Sequence, residues 1–247
     1  MIRERLARDG LGREGAFRWR GREISRLEGL SDAVFAFAVT LLVVSLEVPR
    51  TFDELLETMR GFAAFGICFL MLMLVWYWHY IFFRRYGLHD TVTITLNAVL
   101  LFLVLFYVYP LKFLVTLLVD LVLGRSLTVT AANGAVAERI AGEQTPDLLL
   151  IYAAGYLAVN LTLALLYLRA YQQRGALGLD ARECHLTVSS LQRYLLIGSV
   201  AILSALIILI GGPEQLAWAG WCYFLIWPVL LAHGRIRRRQ WPAAVTP

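Results

Sequence analysis

Charged residues are scarce in this chain. They make up 17% of its 247 residues, whereas 59% are hydrophobic and the mean hydropathy is +0.65. Ordinary soluble domains are about a quarter charged and roughly half apolar. Because a soluble domain of this length could not bury so many apolar side chains, the composition predicts an integral membrane protein.

Cysteine and histidine are also sparse, and their spacing argues against several classes of protein. Cys68, Cys184 and Cys222 form no paired motif, and the four histidines fit no HExxH pattern. We therefore expect no disulfide framework, no metal site and no cofactor. The net charge of +5 comes from arginines beside apolar runs and not from a basic face with interleaved aromatics. Hence we expect no nucleic-acid partner.

Six apolar runs are long enough to cross a bilayer, which requires roughly 20 residues. They lie at about 30–48, 61–83, 91–119, 148–169, 192–211 and 215–233. Polar or helix-breaking residues separate them: Pro49, Arg84 and Arg85, the stretch 124–147, the segment 174–193, and Gly211 to Pro213. Pro110 predicts a kink or an end in the third run. The sequence therefore predicts an all-α membrane protein with six transmembrane helices per subunit.

The arginines predict how these helices are oriented. Eighteen of the 23 basic residues fall in four segments: the first 26 residues, the 84–90 loop, the 169–193 connection and the tail. If six spans cross the membrane in alternating directions, these four segments all lie on the same side. By the positive-inside rule, both termini are expected in the cytoplasm. The arginine-rich N-terminus lacks a cleavage site, so we expect a retained first helix. The predicted domains are a cytoplasmic segment 1–29, one membrane domain 30–233 and a basic cytoplasmic tail 234–247 that contacts lipid headgroups.

The first apolar run has two faces. At about 100° per residue, one face of the helix is predicted to carry Leu30, Ala33, Phe37, Thr40, Leu41 and Val44. Ser31 and Asp32 fall on the opposite half. A carboxylate beside hydrocarbon is costly and requires a partner or a function. The helix is therefore predicted to present its apolar face, which includes a threonine, to one environment and its Ser-Asp pair to another.

Other runs contain polar partners for that pair. His79 and Asn97 fall at the same predicted depth as Ser31 and Asp32, so the four side chains are able to form one hydrogen-bonded cluster. Simpler interpretations stay open. Trp76 and its neighbouring aromatics fit an interfacial belt, Asn97 an ordinary interhelical bond, and Asp32 an N-cap. Arg26 fits a headgroup contact, and Thr40 a bond to its own backbone.

The run that begins with Arg26, Leu30, Ser31 and Asp32 and continues AVFAFAVTLLVV resembles the RxxxFSD first-helix signature of the transmembrane protein 175 family of potassium channels. Trp76, His79, Asn97 and Pro110 fit the family's second and third helices. The resemblance covers about residues 22–115. A single unit of six helices matches the prokaryotic members, which assemble as homotetramers.

This resemblance implies a pore lined by the first helix of each subunit. Phe37 would form the hydrophobic constriction, Thr40 a hydroxyl layer in transient contact with K⁺, and Leu41 and Val44 would also line the pore. Selectivity would arise without a TVGYG filter, which this sequence lacks. Arg26, Leu30, Ser31, Asp32, Trp76, His79 and Asn97 would hold the pore helix in place. Two residues depart from the family pattern, since Leu30 replaces phenylalanine and Phe37 replaces an aliphatic residue.

The leading hypothesis is a tetrameric potassium-preferring cation channel in a prokaryotic plasma membrane. A proton-coupled secondary transporter or proton leak pathway using Asp32 and His79 is the alternative. A non-conducting membrane scaffold would leave the two-faced first helix unexplained. A membrane hydrolase is disfavoured because His79 has no nucleophile or oxyanion constellation to work with, so the protein is predicted not to be an enzyme.

Overall fold

The computed structural model describes residues 13–14, 17–21, 23–44, 48–125, 128–130 and 136–240. Within these residues, six helices are long and apolar enough to cross a membrane, so the prediction of an all-helical membrane protein is confirmed. Most of the arginine-rich N-terminus, the end of the first predicted run at 45–47, and the tail from 241 onward lie outside the described residues.

The described elements follow one another in a simple order. They are β1 (Arg13–Glu14), β2 (Phe17–Arg18), α1 (Arg26–Val44), α2 (Phe52–Arg60), α3 (Phe62–Tyr86), α4 (Thr91–Val122), β3 (Thr128–Thr130), β4 (Val136–Glu138), α5 (Thr145–Gln172), α6 (Ala181–Gly211), α7 (Leu216–Trp221) and α8 (Ile226–Arg239). A 3₁₀ turn links α7 to α8, and together they form the sixth span. The strands form two antiparallel hairpins, β1 with β2 and β3 with β4.

The predicted start of the fifth span is wrong, and of the kink or end predicted at Pro110 the structure contradicts the end. The predicted break at 174–193 extends too far, because α6 already begins at Ala181. Asp180 caps this helix: its carboxylate accepts from the Glu183 amide at 2.7 Å, and the Glu183 carboxylate accepts from the Asp180 amide at 3.2 Å. This capping box adds a polar extension that hydropathy does not detect. Pro110 does not end α4, and its carbonyl accepts a hydrogen bond from the Tyr152 hydroxyl of α5.

Two clusters of buried side chains hold the bundle together. One joins α1, α3 and α4 through residues such as Phe35, Leu42 and Val104. The other joins α3, α4, α5 and α6, and includes Phe17 from β2. Because α1 packs against α3 and α4, one of its sides is buried while the other is uncovered in the single chain.

Phe17–Gly21, which we term the N-terminal strap, leads toward α1 and is tightly bound. Phe17 is fully buried beside Tyr86. The Arg20 guanidinium bonds Glu183 of α6, with Nη2 at 2.5 Å from Oε2. The amides of Arg20 and Gly21 both donate to the Arg84 carbonyl at 3.1 Å. Only glycine fits at position 21, where a Cβ would lie 2.5 Å from a backbone oxygen of α3. The strap therefore ties the chain before α1 to α3 and α6.

Candidate functional site

The start of α1 is fixed by a capping box that the sequence analysis missed. The Glu28 amide donates to Ser25 Oγ at 3.1 Å, and the Ser25 amide donates to Glu28 Oε1 at 3.2 Å. Glu28 is 8% exposed, and this pairing meets part of the cost of burying its carboxylate. The S-x-x-E spacing of this pair was the available signal. It explains why α1 begins at Arg26 and not at the predicted residue 30.

α1 presents a buried face and an exposed face. Its buried side chains are Glu28, Ser31, Phe35, Ala38 and Leu42. Leu30, Ala33, Phe37, Thr40 and Val44 are uncovered, and we term them the exposed face. Phe37 and Val44 are 55% and 69% exposed. Leu41 is half-buried and packs against the cluster of α1, α3 and α4, so it lies at the edge of the exposed face.

Ser31, His79 and Asn97 form a chain of hydrogen bonds, which we term the polar cluster. Ser31 Oγ donates to the Leu27 carbonyl at 2.8 Å, and Asn97 Nδ2 donates to Ser31 Oγ at 3.0 Å. Asn97 Oδ1 is therefore the acceptor for His79, which places a proton on Nε2, 2.7 Å away. The cluster thus joins α3, α4 and α1, because His79 donates to Asn97, Asn97 donates to Ser31, and Ser31 donates to the backbone of its own helix.

The polar cluster is sealed from solvent and satisfied. All three side chains are at most 1% exposed. The His79 ring lies 4.6 Å from the Phe83 ring and 5.7 Å from the Phe35 ring, measured between centroids. Such a buried network rigidifies the helices that contribute to it. Among the described side chains, no group of three histidine, cysteine or acidic residues is placed to hold a metal ion.

Asp32 forms its hydrogen bond with Trp76, and not with the polar cluster that it was expected to join. Its Oδ1 accepts from Trp76 Nε1 at 2.8 Å, and the residue is exposed. The Trp76 ring stacks on Tyr80 with centroids 5.8 Å apart. Arg26 and Leu30 are exposed and join neither set of bonds. The structure therefore brings the signature residues together as a buried trio and a separate Asp-Trp pair.

Thr40 bonds its own backbone and also lies on the exposed face of α1, so two of the interpretations offered for it hold together. Its hydroxyl donates to the Ala36 carbonyl at 3.0 Å, as expected for a threonine in an apolar helix. The residue is nonetheless exposed, on the side of α1 away from the polar cluster. Since the proton points to the backbone, the oxygen keeps its lone pairs available for a cation.

Comparison with known structures defines the class of fold. The chain is similar to the crystal structure of the potassium channel MtTMEM175, solved as a variant in complex with a nanobody–MBP fusion protein. The TM-score is 0.80, with 39% identity over 92% of this chain and 99% of that one. The six-helix fold is therefore shared with an ion channel.

Sequence relatives then give the family. Residues 26–107 match the family described as "Endosomal/lysosomal potassium channel TMEM175". The chain is 41% identical over 228 residues to a protein named "Potassium channel" from Marivirga tractuosa, covering 91% of this chain and 92% of the relative. A potassium channel from Chamaesiphon minutus is 32% identical over 96 residues, which cover 36% of this chain and 47% of that protein. This chain belongs to the TMEM175 family, as the first-helix signature predicted. The family and these relatives are channels, which confirms the prediction that the protein is not an enzyme.

Proposed function

We propose that this protein is a potassium-preferring cation channel whose pore is lined by the exposed face of α1. The observation that carries the proposal is the division of this helix into two faces. The buried face holds Ser31 in the polar cluster, whereas Phe37, Thr40 and Val44 are uncovered in the single chain. The names of the relatives, which are potassium channels, support K⁺ as the permeant ion.

A homotetramer would enclose this face around a central axis. Four Phe37 rings would form a hydrophobic constriction, and four Val44 side chains would form a second apolar ring about two helical turns further along. Between them, four Thr40 oxygens would contact K⁺, or other monovalent cations, transiently. The channel would lie in a prokaryotic plasma membrane. Both termini would lie in the cytoplasm, which is consistent with the distribution of arginine.

The polar cluster and the Asp32–Trp76 bond would set the angle of the pore helix without touching ions. The alternative, a proton path through Asp32 and His79, is less well supported because their hydrogen bonds go to Trp76 and Asn97 respectively. A relay would require these two side chains to exchange a proton directly or through a shared partner.

Reconstitution of the purified protein in liposomes tests the proposal. We expect potassium flux from the wild type, and faster flux from Phe37→Ala because the constriction is widened. Phe102→Ala is the matched control, since this phenylalanine is 65% exposed but lies on α4. A silent wild type together with an equally silent Phe37→Ala variant would contradict the proposal. Saturable, proton-coupled uptake abolished by Asp32→Asn would favour the transporter.

A further inference from the structure

A cavity of about 610 Å³ lies between α4 and the end of the β3–β4 hairpin, away from the exposed face of α1. Its lining includes Tyr109, Lys112 and Thr116 from α4, and Glu138 and Arg139 from the hairpin. This volume falls in the range of small-molecule sites, roughly 300–1,000 Å³. Its described lining, which also includes Phe113, therefore combines two cations, one carboxylate, two hydroxyls and two aromatic rings.

The position of Lys112 along α4 places the cavity at a membrane surface. α4 begins at Thr91, after the Arg84–Arg85 pair that ends α3. With a rise of 1.5 Å per residue, Lys112 lies about 32 Å along the helix. The hydrocarbon core of a bilayer is about 30 Å thick. Lys112 is therefore about one bilayer thickness from the start of α4, toward the membrane surface opposite Arg84 and Arg85, and α4 continues beyond it to Val122.

The cations of this cavity are not accounted for by the orientation of the protein. Eighteen of the 23 basic residues fall in segments that six alternating spans would place on the opposite side, and Lys112 is the only lysine in the sequence. The positive-inside rule depletes the arginine-poor side of cations. Lys112 and Arg139 nevertheless line the same cavity on that side.

Arg139 is held in place at the wall of the cavity. Its Nη1 lies 2.7 Å from Asp120 Oδ2, and Arg125 Nη1 lies 3.2 Å from Asp120 Oδ1. Asp120 is 7% exposed, so this pairing fixes the hairpin against α4. A guanidinium has five N–H donors, of which this ion pair uses one. The donors that this pair does not use would serve an anion beside Lys112.

We propose that the cavity binds the headgroup of an aminophospholipid, phosphatidylethanolamine. The phosphate would lie between Lys112 and Arg139, and the ammonium group would donate to Glu138. Tyr109 and Phe113, which are 52% and 42% exposed, offer an aromatic surface to the glycerol and the first acyl carbons. This aromatic border favours a lipid over free phosphate, and the carboxylate favours an ammonium-bearing headgroup over an anionic one.

Native mass spectrometry of the delipidated full-length protein in detergent tests the site. Phosphatidylethanolamine, phosphatidylcholine and phosphatidylglycerol with identical acyl chains would be added in turn. We expect phosphatidylethanolamine to bind most tightly. Lys112→Gln should weaken its binding about tenfold, since a charge-assisted hydrogen bond contributes more than about 1.4 kcal/mol. Lys112→Arg should retain it, and Arg50→Gln, outside the cavity on the same side, should leave it unchanged.

The Glu138→Gln variant separates headgroup recognition from general lipid binding. Glu138 is exposed, so its replacement is not expected to disturb folding. It should weaken the binding of phosphatidylethanolamine and leave that of phosphatidylglycerol unchanged. Equal binding of all three lipids by the wild type would overturn the proposal. So would displacement of the lipid by inorganic phosphate, or loss of oligomer mass in Lys112→Gln, which would indicate that a second copy of the chain fills the cavity.

Discussion

Asn97 Nδ2 donates a 3.0 Å hydrogen bond to Ser31 Oγ, which joins α4 to the buried face of α1. His79 on α3 completes the connection through Asn97 Oδ1. Because Ser31 is held on this side, rotation of α1 about its axis would break a buried bond. Together with the packing of Phe35 and Leu42, this bond fixes which side chains of α1 remain uncovered.

Replacement of Asn97 by leucine should destabilise the protein by about 1–3 kcal/mol, because the buried His79 Nε2–H loses its acceptor. Thermal unfolding in detergent measures the change. Asn160→Leu is the control: Asn160 is also buried in a span, but its amide donates only to Tyr156 of its own helix. Equal destabilisation of the two variants would contradict an interhelical role for Asn97.

Thr40→Val should lower the preference for K⁺ over Na⁺ while leaving a conducting pore, because it removes the hydroxyl and keeps the shape of the side chain. Flux assays with each cation in turn measure the ratio. Thr162→Val is the matched control, since Thr162 also donates to the carbonyl four residues before it but lies buried in α5. A ratio unchanged by Thr40→Val would argue against cation contact at this layer.

The ion pair between the N-terminal strap and α6 should contribute strongly to stability. Arg20 and Glu183 side chains are 13% and 4% exposed, and removal of one partner from a buried pair costs roughly 3 kcal/mol. We expect Arg20→Ala to lower the melting temperature clearly. Arg18→Ala should have little effect, because Arg18 is exposed and it is its backbone amide that donates to Glu183. If both variants melt alike, the pair does not hold the strap.

Asp90 predicts a dependence of stability on acid pH. Burial opposes its ionisation, but hydrogen bonds from Thr93 and Arg169 outweigh it and hold the pKa of the carboxyl below its ordinary value. A depressed pKa stabilises the fold above the unfolded pKa, and this stabilisation is lost as the pH falls through the folded one. The melting temperature of the wild type should exceed that of Asp90→Asn at neutral pH, and the gap should close below about pH 4. A gap independent of pH would contradict this origin.

The spans could be predicted from the sequence because hydropathy reports directly on the environment of each side chain. Hydropathy does not report the polar extension of α6, because this part of the helix depends on its cap at Asp180, which the D-x-x-E spacing signals, and on its contact with Arg20, which no local pattern signals. Pro110 lies inside α4 without ending it, and its carbonyl accepts a hydrogen bond from Tyr152 of α5. Hydropathy detects neither kind of interaction.

The candidate site was predicted in part. Helical periodicity was enough to separate Ser31 from Phe37 on α1, since both lie on one helix. The partner of Asp32 could not be predicted in the same way, because both His79 and Trp76 were plausible partners on another helix. In the structure, Asp32 accepts its hydrogen bond from Trp76. The cavity beside Lys112 depends on how the β3–β4 hairpin folds back against α4, which no local pattern determines.

Access of a thiol reagent to α1 in a conducting preparation would report directly on whether the exposed face of this helix lines the pore. Cys68, Cys184 and Cys222 would first be replaced by alanine, and then Thr40→Cys and Ala38→Cys introduced separately. We expect a membrane-impermeant methanethiosulfonate to block potassium flux through Thr40→Cys and to leave Ala38→Cys, on the buried face, unaffected. Block of Ala38→Cys with no effect on Thr40→Cys would contradict a pore lined by the exposed face of α1.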